Sequence, residues 1–236
     1  MIEKMISRAA AMGIALSREQ AEKFEIYHRM LTEANAQFNL TRVPEDIDEA
    51  IDRNYLDCIS PLACGLPEGV KTMIDVGSGA GFPGIPLSIM LPDVRITLMD
   101  ALSKRVDFLK SVISALGLNA EALHLRAEDG ARRPELREAF DIATARAVAA
   151  LNLLSEYLLP FVKPGGYMMV LKGPGLDEEI VQAENAFAIL GGSFRRADSI
   201  AIPGRDWDHR IAWIEKTAST PEKYPRRAGK PDKKPR

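Results

Sequence analysis

Apolar residues recur every three or four positions through the first 65 residues, then gather into shorter, denser runs, and that change of period divides the chain. Phe24, Tyr27, Leu31, Ala34 and Phe38 follow Ser17-Arg18-Glu19-Gln20, which has the form of a capping box, so the spacing predicts a helix of about five turns. Ile47, Ile51, Tyr55 and Cys58 repeat the pattern between a start at Pro44-Glu45-Asp46 and a stop at Ser60-Pro61. From Val70, apolar runs of strand length at 73–76, 96–99, 122–125, 142–145 and 167–171 alternate with helical patterns over 84–91, 103–116, 148–159 and 177–190. Such alternation predicts an α/β fold with a mostly parallel sheet covered on both faces. After Gly191-Gly192, the runs 193–200 and 210–215 have no helix between them, which predicts antiparallel pairing at one edge of the sheet. Three segments result: an N-terminal helical extension (1–65), a sheet domain (66–216) and a tail (217–236).

Composition changes this picture mainly at the tail. The apolar content of 46% is that of an ordinary globular core, and the net charge of −2 excludes a global polycation. Residues 217–236, "TASTPEKYPRRAGKPDKKPR", hold seven basic and two acidic residues, a net +5 that leaves −7 on the rest. Four prolines among those charges predict a segment that stays extended or disordered until it meets a partner. Cys58 and Cys64 form neither a CxxC pair nor a disulfide framework, which fits a reduced cytoplasm. Glu3, Lys4 and Arg8 interrupt any signal-peptide core, and no stretch reaches the roughly 18 apolar residues needed to span a bilayer.

Candidate chemistry centres on "DVGSGAGFPG", residues 75–84. Gly77, Gly79 and Gly81 follow the first strand directly, where the chain must turn sharply and let a ligand approach its backbone. A shifted G-x-G-x-x-G, Gly79, Gly81 and Gly84, keeps an NAD-binding oxidoreductase open. Asp100, ending the second strand, can accept hydrogen bonds from ribose hydroxyls of either NAD or S-adenosylmethionine. Asp75 separates the two. Beside a pyrophosphate it adds repulsion, and beside the ammonium of a methionine moiety it attracts, so the loop points to S-adenosylmethionine. The plainer reading is that Asp75 only caps the loop.

The sequence resembles the glucose-inhibited division protein B family, bacterial methyltransferases of small-subunit ribosomal RNA. The likeness runs through Phe38-Asn39-Leu40-Thr41, Asp75 to Pro86, Ser103-Lys104-Arg105-Val106-x-Phe108-Leu109, Arg126-Ala127-Glu128, Ala145-Arg146-Ala147, Leu171-Lys172-Gly173 and the tail. It implies a Rossmann-like class I S-adenosylmethionine-dependent methyltransferase with a seven-stranded sheet and a helical N-terminal part. It further implies methylation of N7 of a single guanine of 16S ribosomal RNA, guanine 527 by the family's convention. By that likeness cofactor contacts fall on Gly77, Phe82, Ala127, Glu128 and Arg146, with Asp100 at the ribose, and the loop itself adds Asp75, Gly79 and Gly81. The expected form is a cytoplasmic monomer without metal, acting on 16S ribosomal RNA or a partly assembled small subunit. The chain departs from the family pattern at Phe38 (usually Trp), at Asn54 and Cys58 around Asp57 (usually His-x-x-Asp-Ser), at Ala145 (commonly Ser) and at His209-Arg210 (usually Arg-His).

The residues suit that chemistry. Methyl transfer from a sulfonium is an in-line displacement that asks mainly for alignment. Guanine N7 carries a free lone pair, so no general base is required. An exocyclic amine acceptor would predict Asn/Asp-Pro-Pro-aromatic where Thr144-Ala145-Arg146-Ala147 stands, and a pyrimidine carbon would need a cysteine nucleophile, whereas Cys58 and Cys64 read as core. Arg146, at the end of the fourth strand, is placed to position cofactor or substrate. His28 and His124 show no metal-binding spacing. Lys104, Arg105, Lys172, His209, Arg210, Arg226 and Arg227 are the candidate RNA contacts, within a wider set of Lys110, Lys163, Arg195, Arg196 and Arg205. Competing readings are a methyltransferase with another RNA or a small-molecule acceptor, the NAD enzyme, and an RNA-binding module that has lost its cofactor.

Overall fold

The computed structural model describes residues 1–38, 40–146 and 149–227, without the side chain of Phe38. Asn39 and Ala147 of the family motifs, Val148 at the expected start of a helix, and tail residues 228–236 lie outside the described residues.

The helical N-terminal part begins with α1 (Ile2–Ala11) and α2 (Arg18–Phe38). Gln20 N–H donates to Ser17 Oγ and Ser17 N–H to Gln20 Oε1, closing the capping box that starts α2. The second predicted helix is instead four pieces: α3 (Ile47–Ala50), a π-helical turn (Ile51–Leu56), α4 (Asp57–Ile59) and α5 (Pro61–Cys64). Asp46 caps α3 through the Glu49 N–H, and Pro61 at the first position of α5 marks the last break.

The sheet domain runs β1 (Thr72–Val76), α6 (Gly84–Met90), β2 (Arg95–Asp100), α7 (Ser103–Leu116), β3 (Ala120–His124), α8 (Ala127–Gly130), β4 (Phe140–Arg146), α9 (Leu151–Leu158), β5 (Val162–Lys172), α10 (Leu176–Leu190), β6 (Gly192–Ile200) and β7 (His209–Lys216). A short 3₁₀ turn, Leu159–Phe161, joins α9 to β5. Seven strands lie in the order β3-β2-β1-β4-β5-β7-β6. The first five are parallel, and β7 runs antiparallel to both β5 and β6.

Strand periodicity sorts the sheet's two faces. Met73, Ile142, Met169, Ile211 and Trp213 pack into one core with Phe24, Tyr27, Leu31, Tyr55 and Cys58. Ile74, Ala143, Val170 and Ile214 face the other core with α9 and α10. Residues 1–65 therefore share a core with the sheet and cover one of its faces. Asp52, fully buried, accepts from Arg8 Nε and Nη2 (2.7 and 2.6 Å) and from Arg205 Nε (2.6 Å), tying α1 and the β6–β7 loop to the π-helical turn. No helix among the described residues is long and apolar enough to cross a membrane.

The described part of the tail is extended, one of the two expected states, but it packs against the sheet domain of its own chain. Residues 217–227 lie along the molecule as a strap with Thr220 and Tyr224 buried. Lys216 Nζ donates to Leu159 O and Thr220 Oγ1 and pairs with Glu138 at 3.1 Å. Arg137 donates to the carbonyls of Thr220 and Tyr224, and Arg132 to that of Pro225. Beyond them, Arg226 grips Glu156, which is 1% exposed, through its guanidinium and its backbone N–H. Arg226, expected among the RNA contacts, thus anchors the strap through Glu156.

Candidate functional site

The glycine loop leaves β1 at Val76 and enters α6 at Gly84. Gly77 and Ser78 N–H groups both donate to Met99 O on β2, and Gly79 N–H donates to Asp100 Oδ2 at 2.9 Å, so the second strand shapes the loop. Asp100 Oδ1 accepts from Leu102 N–H, and Arg105 approaches Oδ2 at 3.5 Å. Two glycines are required by space. A Cβ on Gly84 would lie 2.0 Å from Leu98 Cδ2 and 2.7 Å from Asp75 Oδ2. Gly81, at φ +110°, would place one 2.6 Å from Ile85 and 2.9 Å from the Tyr27 hydroxyl. That hydroxyl donates to Ala80 O at 2.7 Å, so α2 clamps the loop from outside.

Asp75 is fully buried beneath the loop. Its Oδ2 accepts the Gly84 N–H at 2.9 Å, while Oδ1 is buried without a hydrogen-bond partner. Thr144, its register partner on β4, has a buried hydroxyl in the same state. Burial raises the pKa of Asp75 to about 7, against the opposing pull of the Gly84 N–H. One oxygen therefore caps the loop as the plainer reading holds, and the other is a buried acceptor with no hydrogen-bond partner among the described residues. Ala127 and Glu128 begin α8, with Glu128 6% exposed.

Arg146 joins this loop to a cleft. Its guanidinium carbon sits 4.7 Å from the Phe82 ring centroid, and Nη1 donates to Arg53 O (2.6 Å) and Asp57 Oδ2 (3.1 Å). Asp57 Oδ1 in turn holds His209 Nδ1 at 2.8 Å. The line Phe82, Arg146, Asp57, His209 runs from the glycine loop into a cleft of about 770 Å³ walled by the basic Arg42, Arg53 and Lys172, the acidic Glu45, Glu49 and Glu179, and by Asn54 and His209. Trp207 stands behind it, stacked on His209 with centroids 5.2 Å apart and lying under the guanidinium groups of Arg53 (4.5 Å) and Arg205 (5.3 Å). Trp207 and Arg42 carry no sequence signal beyond an aromatic or a cation in a charged stretch, and neither stands among the residues expected from sequence.

The other expected RNA contacts divide by their partners. Lys104 and Arg227 are exposed. Lys172 lines the cleft but is bound to Glu179 (2.7 Å) and Ala149 O (2.9 Å). Arg105 leans on Asp100, and Arg210 pairs with Asp177 at 2.8 Å. Of the adjacent pair, His209 lines the cleft and Arg210 turns to α10. Lys163, Arg195, Arg196 and Arg205 are paired with Asp141, Glu215, Asp198 and Asp52. Cys58 is buried, and burial pushes its thiol pKa up, so it holds its proton at neutral pH. His28 meets the Tyr55 hydroxyl and His124 the Ala101 carbonyl. Among the described residues no group of three or more His, Cys, Asp or Glu side chains is placed to hold a metal ion.

The sequence profile of one family, described as rRNA small subunit methyltransferase G, matches residues 20–203. A protein of Clostridium botulinum named ribosomal RNA small subunit methyltransferase G is 46% identical over 232 residues, covering 98% of this chain and 97% of its own. One of the same name from Clostridium perfringens is 44% identical over 226 residues, with 95% and 94% covered. Among solved structures, a SAM-dependent methyltransferase from Aquifex aeolicus superposes with a TM-score of 0.51 at 22% identity, over 75% of this chain and 100% of that one. The branched-chain polyamine synthase of Thermus thermophilus gives 0.58 at 14% identity, over 86% and 65%. At such identities the structural likeness is one of fold.

Proposed function

Because the chain belongs to the rRNA small subunit methyltransferase G family, we propose that it methylates N7 of a single guanine of 16S ribosomal RNA with S-adenosylmethionine as donor. The observation that carries this reading is the Asp75 oxygen, buried and without a hydrogen-bond partner among the described residues, inside a glycine loop that Phe82 and Arg146 connect to a cleft lined by both basic and acidic side chains. The donor supplies an electrophilic methyl group. Asp75 Oδ1 would accept from its ammonium, Asp100, which holds the loop through the Gly79 N–H, would also hold the ribose, and Ala127 and Glu128 would border the adenine. Arg146, fixed by Asp57 and Arg53 O, holds the cleft wall against the glycine loop and would help to align a bound base with the donor. No side chain needs to remove a proton, because guanine N7 attacks with a lone pair. Lys104, Arg105, Lys172 and Arg227 would face the RNA as cations, His209 as a hydrogen-bonding ring at the cleft, together with the basic part of the tail beyond Arg227. A dinucleotide fits less well, because its pyrophosphate would lie against the Asp75 carboxylate.

Calorimetric titration with S-adenosylmethionine tests this reading, with NAD as control. Asp75 binds an ammonium only when ionised, so affinity should fall as pH drops through about 7, approaching tenfold per pH unit below it. Asp75→Asn should bind about ten to a hundred times more weakly at pH 8, with a flatter pH profile. The sign for stability is the reverse. With the folded pKa above the unfolded one, burying the carboxylate carries no penalty below about pH 4 and its full penalty above about pH 7. The Asp75→Asn variant should therefore gain on the wild type in urea melts as pH rises across that window. Binding of NAD but not of S-adenosylmethionine would select the oxidoreductase instead.

A further inference from the structure

Asn54 stands where the family pattern usually has histidine, at the centre of the π-helical turn Ile51–Leu56. Asn54 lines the cleft with Arg146, the residue is only 5% exposed, and its Nδ2 is buried without a hydrogen-bond partner among the described residues. A buried amide donor with no acceptor destabilises a fold, and buried polar groups are otherwise nearly always satisfied. The surrounding turn is held rigidly. Asp52 is locked by Arg8 and Arg205, the Arg53 carbonyl by Arg146, and Asp57 by Arg146 and His209. Asn54, at the cleft wall and on a turn type common at functional sites, is thus the one polar side chain between residues 52 and 57 whose donor is buried without a partner among the described residues.

We propose that Asn54 is a specificity-determining residue for the acceptor base, its Nδ2 donating a hydrogen bond to guanine O6. This rests on the guanine-N7 reading above. The edge of guanine that presents N7 also presents O6, and both are acceptors. N7 must keep its lone pair free for the methyl group, so the enzyme can recognise that edge only by a donor placed at O6. A neutral amide suits this task, because it donates without delivering a proton. Its terminal torsion is also soft, so Nδ2 can turn to face an incoming base. Arg146 Nη1 cannot take the role while it serves Arg53 O and Asp57.

The test compares wild type, Asn54→Ala and Asn54→Leu on 16S ribosomal RNA ligated to carry either guanine or 2-aminopurine at the target, offered free and in reconstituted small subunits. 2-Aminopurine keeps N7 and lacks O6. Its altered N7 reactivity is the same for every enzyme and cancels in the ratio of kcat/KM values. The wild-type preference for guanine should shrink about tenfold in both variants, with guanine turnover falling by a similar factor. Donor affinity should be unchanged, and thermal stability equal or higher, since the change removes an unsatisfied group. An unchanged guanine preference in variants that still bind donor would overturn the Asn54 assignment while leaving the N7 reading intact. Absence of N7 methylation by the wild-type enzyme would overturn both.

Discussion

Arg146→Ala should lower kcat/KM for methyl transfer by about a hundredfold to a thousandfold, equivalent to about 3–4 kcal/mol of transition-state stabilisation. Three contacts are lost at once: the stack on Phe82, the bond to Arg53 O and the ion pair with Asp57. Asp57, 12% exposed on its side chain, then keeps only His209 as a partner, and the cleft wall loses its fixed relation to the glycine loop. Part of the loss should appear as weaker donor binding by calorimetry and the rest in kcat. Arg146→Lys should recover little, because an ammonium cannot stack on the ring while donating in a plane to two oxygens. Near-wild-type turnover of either variant would remove Arg146 from the centre of this account.

The second large effect concerns stability. Arg226→Ala should destabilise the fold by about 3 kcal/mol in urea titration, because Glu156 would remain as a charge in a site that is 1% exposed. Replacing both partners, Arg226→Met with Glu156→Leu, should restore most of the loss, since an apolar pair carries no desolvation penalty. RNA affinity of folded Arg226→Ala should change little, which separates the strap anchor from a phosphate contact. A single substitution costing below about 0.5 kcal/mol would place Arg226 among ordinary surface charges.

The sheet and its covering helices were legible because period 2 and period 3.6 alternate cleanly from Val70 onward, and α7 spans the expected residues 103–116. Less legible were features whose cause lies far away in sequence. α1 contributes only Met5 and Ala9 as fully buried residues of a single turn-to-turn stripe, a weak signal beside its charges. The π-helical turn is tied down where Asp52 meets Arg8 and Arg205, partners 44 and 153 positions distant. The strap reads as extended or disordered because proline and charge dominate it, yet Thr220 and Tyr224 find buried seats and Arg226 finds Glu156. The same blindness affects the candidate RNA contacts. Lys172, Arg210 and Arg226 are visible as cations, whereas Glu179, Asp177 and Glu156, which hold them, are visible only in three dimensions. The glycine loop was readable because its chemistry is local, and even there the structure adds that one Asp75 oxygen caps Gly84 while the other stands without a partner.

The most direct measurement is transfer of tritiated methyl from S-adenosylmethionine to unmodified 16S ribosomal RNA, free and in small subunits, followed by borohydride and aniline cleavage, which breaks the chain at N7-methylguanine. The account predicts about one methyl per RNA and a single new cleavage site at a guanine. Label without cleavage would place the methyl on another atom, and no incorporation in either substrate form would contradict the assignment.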